Sequence, residues 1–109
     1  MSMKPIKKTR ATYKKAVATA KQANRKTDLG NGFQRFFFNR TITPNTYFTF
    51  TFNGGSLKPI SGGFFIANQN SLPAYATSFY NQSDFVYVIT VFNPTSFTRA
   101  ISFTFVAKQ

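Results

Sequence analysis

The chain has 109 residues and a net charge of +12, from 14 Lys+Arg against 2 Asp+Glu, with no His, Cys or Trp. This inventory excludes a Cys or His nucleophile, a zinc site, a disulfide framework and a Ser-His-Asp triad. With Asp28 and Asp84 as the only acids, a carboxylate metal cage or a paired-carboxylate hydrolase is also disfavoured, so the expectation is a single non-enzymatic domain with an appendage and no cofactor or metal.

The basic residues gather at the N-terminus: Lys4, Lys7, Lys8, Arg10, Lys14, Lys15, Lys21, Arg25 and Lys26 precede any acid. Pro5 and the surrounding Lys/Thr mixture read as extended chain, whereas Ala11 to Lys26 is rich in Ala, Lys and Gln and predicts a helix. On a helical wheel Tyr13, Ala16, Val17, Ala20 and Ala23 share one face and the cations share the other. The apolar face is too small for membrane insertion. Nine cations without a compensating acid instead suit a phosphate polymer, where release of counterions drives sequence-independent binding. Residues 1–27 are therefore expected to be a basic, partly helical arm that faces nucleic acid, DNA or RNA. Lys7-Lys8-Thr9-Arg10 is only a weak match to a nuclear import signal.

Asp28-Leu29-Gly30-Asn31-Gly32 has the composition of a turn and is expected to be a hinge, residues 28–32. Beyond it the charge nearly disappears, leaving six charged side chains from Gln34 to Gln109. Gln34 to Thr43 reads as a Phe/Thr strand, and Thr43-Pro44-Asn45-Thr46 as a turn. Thr46 to Asn53 alternates strictly, with Phe48, Phe50 and Phe52 on one face, so the two strands are expected to form a hairpin. Asn53-Gly54-Gly55 and Ser61-Gly62-Gly63 bracket an expected loop, followed by a short strand at Phe64 to Ala67 and another around Tyr75 to Tyr80. Asp84 to Phe92 is apolar on both faces, as in a strand covered on both sides. Asn93-Pro94-Thr95-Ser96 should turn the chain into Phe97 to Ala107, a second hairpin with Ile101, Phe103 and Phe105 inward.

These elements predict an all-β domain over residues 33–109, a small antiparallel sandwich or barrel that is jelly-roll-like or immunoglobulin-like. Most of its 15 Phe belong to the core by their period of two. Arg35-Phe36-Phe37-Phe38-Asn39-Arg40 stands apart, because consecutive Phe residues must point to opposite faces. Arg35, Phe37 and Arg40 could stack bases. The competing and stronger reading packs Phe37 beneath the N-terminal helix or a neighbouring subunit. A body this apolar and this poor in charge is expected to form a homo-oligomer.

No export signal is expected, because Lys or Arg interrupts the first twenty residues every few positions, and no apolar run approaches the 18 or more residues of a membrane span. Asn39-Arg40-Thr41 and Asn81-Gln82-Ser83 match the glycosylation triplet by chance. The layout resembles the coat and capsid-associated proteins of small viruses: a basic arm from Lys4 to Lys26, the Gly30-Asn31-Gly32 hinge and the Phe/Thr strands that follow. The resemblance implies a virion structural protein whose interior-facing arm holds the packaged genome and whose β domain contacts copies of itself and other virion proteins, with a cytoplasmic location otherwise. Two alternatives are a single-stranded nucleic-acid binder of OB or cold-shock type, using Arg35 to Arg40, and a small ribosomal protein.

Overall fold

The computed structural model describes residues 11–67 and 74–109. Among these, eight strands follow in order: β1 (Thr12–Thr19), β2 (Arg25–Gly30), β3 (Phe33–Ile42), β4 (Thr46–Asn53), β5 (Lys58–Ile66), β6 (Tyr75–Ser83), β7 (Val86–Asn93) and β8 (Arg99–Lys108). They form two four-stranded sheets, a first of order β1-β4-β7-β6 and a second of order β2-β3-β8-β5. Every pairing is antiparallel except β1 with β4, which is parallel. The all-β expectation is met.

The core lies between the sheets and is built largely from phenylalanine. Phe36 and Phe38 on β3, Phe48, Phe50 and Phe52 on β4, and Phe103 and Phe105 on β8 are fully buried, joined by Ile42, Ile89, Val91 and Ile101. Alternation puts every second residue of each strand on the inner face, and the rings then meet across the gap. Phe50 stacks on Phe103 at 4.6 Å and Phe52 on Phe105 at 4.8 Å between centroids.

That same core explains why the two expected hairpins do not form. β3 and β4 lie in opposite sheets, as do β7 and β8. Paired side by side, β3 and β4 would present their Phe faces together on one side of a ribbon with nothing to cover them. Arching instead through Thr43-Pro44-Asn45 turns Phe36 and Phe38 to face Phe50 and Phe52. Asn45 takes the left-handed conformation in this arch, with φ 51°.

Asn93 ties the two arches together. Its buried amide nitrogen donates to the carbonyls of Ile42, Thr43 and Phe97, while its Oδ1 accepts from the Thr95 backbone and hydroxyl. Arg99, also buried, donates to Asn93 Oδ1 and twice to the Ala67 carbonyl.

Two further expectations are corrected. The helix at Ala11 to Lys26 is absent; Thr12 to Thr19 run as β1 along β4, in register from Thr12 opposite Thr46 to Thr19 opposite Asn53. Helix propensity yields here because a lone helix of this length is marginal in water, whereas the edge of β4 offers a row of backbone partners and space for small side chains. Ala18 is buried and Ala16 packs against the core. Only a single 3-10 turn, Ala20–Gln22, remains, with the Thr19 amide donating to Gln22 Oε1. Ser61-Gly62-Gly63 is not a loop but the middle of β5. A Cβ at Gly62 would stand 2.7 Å from a Tyr87 ring carbon, so glycine is what lets that ring lie against the strand.

Of the expected hinge at residues 28–32, Gly30-Asn31-Gly32 form a turn with all three residues at positive φ that joins β2 to β3 within the second sheet, while Asp28 and Leu29 belong to β2 itself. Residues 12–30 thus contribute one edge strand to each sheet. No helix among the described residues is long and apolar enough to cross a membrane.

Phe50 touches Phe38, Phe48, Phe103 and Phe105, so Phe50→Ala is expected to cost about 3–5 kcal/mol in urea denaturation, against under about 0.5 kcal/mol for the exposed Phe65→Ala.

Candidate nucleic-acid interface

The cations are not distributed evenly over the sandwich. Along β3 the outward residues are Phe33, Arg35, Phe37, Asn39 and Thr41, and the register of the second sheet sets each beside partners on β2, β8 and β5. One row reads Arg25, Phe37, Thr104, Gly63; the next reads Thr27, Arg35, Val106, Ser61; a third brings Phe33 beside Lys108 and Lys58. Four cations and two aromatic rings therefore share one outer face. No acid occupies these rows: Asp28 lies on β2 opposite Gln34, where its Oδ1 accepts from the Gly30 amide. Asp84, in the turn after β6, shares with Lys58 the rim of an open hollow beside this face.

Two of the cations rest on rings. The Arg25 guanidinium lies 4.2 Å from the Phe37 centroid and the Lys108 ammonium 5.1 Å from that of Phe33. Each contact contributes about 0.5–1 kcal/mol at an exposed site and restrains a side chain that would otherwise sweep freely. Lys58 stands directly opposite Lys108 on neighbouring strands. Like charges so placed destabilise a sheet. The cost is removed when an anion lies between them.

The residues expected from the sequence to bind nucleic acid fall in several places. Lys4, Lys7, Lys8 and Arg10 lie outside the described residues. Lys14 reaches toward the rim of the sandwich, its Nζ 4.7 Å from the Phe48 centroid and donating to the Thr41 carbonyl. Lys15 is exposed on the outer face of the first sheet, Lys21 is exposed in the 3-10 turn, and Lys26 is exposed on β2 opposite Phe36. Only Arg25 of this group joins the cationic face.

The proposed stacking trio is divided. Arg35 and Phe37 sit together on the outer face of the second sheet, but Arg40 alternates to the other side. Its guanidinium lies 5.7 Å and 5.4 Å from the Phe38 and Phe50 rings and donates to the Asn39 carbonyl and toward Asn24. No helix among the described residues lies over Phe37; the Arg25 guanidinium does instead. Phe33, Lys58 and Lys108 were missed because their proximity depends on β8 pairing with both β3 and β5, which no local pattern announces.

The fold and this face together define a two-sheet β protein with a cationic, aromatic-lined sheet surface. The chain belongs to the family described as YjdH, which matches residues 14–107 and so reaches into all eight strands. No match was found among curated proteins or among solved structures.

Lys58→Glu is expected to raise the stability of the free protein by about 0.2–1 kcal/mol, by relieving repulsion with Lys108, while weakening its affinity for a polyanion. Thermal melts and binding titrations on the same sample read the two effects.

Proposed function

We propose that this protein is a non-catalytic structural subunit that holds nucleic acid by its phosphates and associates with copies of itself, in the manner of a capsid or capsid-associated protein of a small virus. The observation that carries the nucleic-acid part is the outer face of the second sheet, where Arg25, Arg35, Lys58 and Lys108 stand in adjoining rows without an acid among them. Lys4 to Arg10 precede β1 by a few residues and add four cations to the same chain. Phosphate contacts of this kind give affinity without sequence preference and position the polymer rather than read it.

The strand order supports the structural comparison. β3 pairs with β8 and β4 with β7, while β5 joins β8 and β6 joins β7. This is a long antiparallel hairpin rolled upon itself, the wrapping of a jelly roll with fewer strands than the usual eight, to which β1 and β2 add as edges. An immunoglobulin-like sandwich uses a different order. The five-stranded barrel of an OB fold also differs.

Association is supported by β6. Of the four edge strands, β1 carries Lys14 and Lys15, β2 carries Arg25 and Lys26, and β5 carries Lys58; β6 carries no charge at all. It also exposes Tyr75, Phe79 and Tyr80. Unpaired strand edges join one another unless charge, proline, a bulge or cover prevents it; β6 has neither charge nor proline, and its register shifts at Ala76/Ser78 and Asn81/Ser83 leave the residues between them, including the exposed Phe79 and Tyr80, in a regular ladder with β7.

Fluorescence anisotropy across a salt series tests the first part. Neutralising Arg25, Arg35 and Lys108 together should flatten the log–log salt dependence on duplex DNA by about 0.9 per lost contact. Replacing Lys4, Lys7, Lys8 and Arg10 by Gln should flatten it independently. Absence of salt-dependent binding by the wild type would overturn the reading. For assembly, light scattering should find an oligomer that Ser78→Lys with Tyr80→Lys disperses, and a monomeric wild type would refute it.

A further inference from the structure

The outer face of the first sheet carries a feature that neither the phosphate contacts nor β6 employs. Register places Tyr13, Tyr47, Phe92 and Tyr75 in one row across β1, β4, β7 and β6. Three of these rings form a continuous stack: Tyr13 on Tyr47 at 5.1 Å with 8° between planes, and Tyr47 on Phe92 at 4.3 Å with 26°. Because the rings stack along the direction that crosses the strands, they stand on edge from the sheet. Tyr13 ends the stack on the edge strand β1 and is 74% exposed. One ring face is taken by Tyr47; the other points away from the edge of the sheet and meets no ring among the described residues.

The charge around that open ring is of one sign. Lys15 projects from the same face two residues along β1, about 6.6 Å away by strand geometry. Within residues 7–15 the chain holds Lys7, Lys8, Arg10, Lys14 and Lys15 and no acid. A planar ring that arrives with attached anions matches both features.

We infer that the open face of Tyr13 is a stacking site for a base of single-stranded nucleic acid, with Lys15 beside it for the adjoining phosphate. This rests on the nucleic-acid reading above and deepens it by naming the strand state, since a base inside a duplex has no free face to offer. The other candidate is Tyr13 of a second copy, which would continue the stack across paired β1 edges. Such pairing would crowd Lys14 and Lys15 of both copies, with Arg10 nearby in sequence, onto one seam, so charge disfavours it.

The full-length protein, Tyr13→Ala and Tyr13→Phe would each be titrated with oligothymidylate, with an abasic deoxyribose-phosphate oligomer of the same length, and with inorganic polyphosphate. Tyr13→Ala should weaken oligothymidylate binding roughly five- to one-hundred-fold, the worth of one base stacked on an aromatic side chain, with the slope against salt unchanged. Tyr13→Phe should bind as the wild type does. The abasic oligomer and polyphosphate should not distinguish the three proteins. The inference falls if Tyr13→Ala binds oligothymidylate like the wild type, or if it weakens abasic and base-bearing oligomers equally. It falls also if light scattering shows the substitution dissolving an oligomer while oligothymidylate affinity is kept, which would make the second copy the occupant. Binding of polyphosphate that Tyr13 substitutions leave untouched, with no effect on oligothymidylate, removes the stacking site alone; failure of the wild type to bind any of the three polyanions removes the wider reading with it. Melting curves of the variants confirm that each is folded.

Discussion

The architecture depends on one buried side chain at the end of the sandwich. Asn93 gives its amide hydrogens to carbonyls of the arch after β3 and of the arch after β7, and receives Thr95 and Arg99 on its oxygen. A backbone carbonyl buried without a partner costs about 1–3 kcal/mol, and an arch leaves several with no ladder to satisfy them. By serving both arches at once, Asn93 makes crossing between sheets affordable. The crossing in turn sets the Phe faces of β3 and β4 against each other.

This is also where local sequence stops being informative. Thr46 to Asn53 was legible as a strand to the residue, because Phe48, Phe50 and Phe52 alternate with Tyr47, Thr49 and Thr51 and nothing competes with a period of two. Thr43-Pro44-Asn45 was equally legible as a turn. What a turn joins is not a local property, however: the arch is favoured because it sets the Phe faces of β3 and β4 against each other, and its carbonyls are served by Asn93, fifty residues away from Thr43. The N-terminal segment shows a different limit. Ala, Lys and Gln favour a helix in isolation, but Ala16 and Ala18 are small enough to pack against the core from a strand, and the edge of β4 was available. Composition there reported the state of an unpartnered peptide.

The candidate site divides along the same line. Arg35 and Phe37 share a face because they are two apart on one strand, so their proximity could be read directly. Arg40 could not join them: five residues from Arg35 is an odd step, and an odd step on a strand changes face. Lys58, Lys108 and Phe33 are brought together by pairings between strands far apart in the chain. The sequence indicated the chemistry of the face, aromatic and basic, but only the register assembled it.

The charge on the strand edges separates two explanations that otherwise look alike. Cations on β1, β2 and β5 would discourage unwanted edge pairing in any soluble β protein. Protection of that kind uses charged side chains, lysine above all, but it does not call for a surface almost without acids. The edges here draw almost wholly on Lys and Arg; Asp28, at the end of β2, is the single acid among them. Mutual repulsion among so many like charges destabilises a compact state, so protection alone would favour a mixture. A polyanionic partner reverses that balance, because it converts each repulsion into an attraction when bound. The uniform sign accords with the polyanionic partner proposed above, and β6, without charge, carries register shifts at Ala76/Ser78 and Asn81/Ser83 instead.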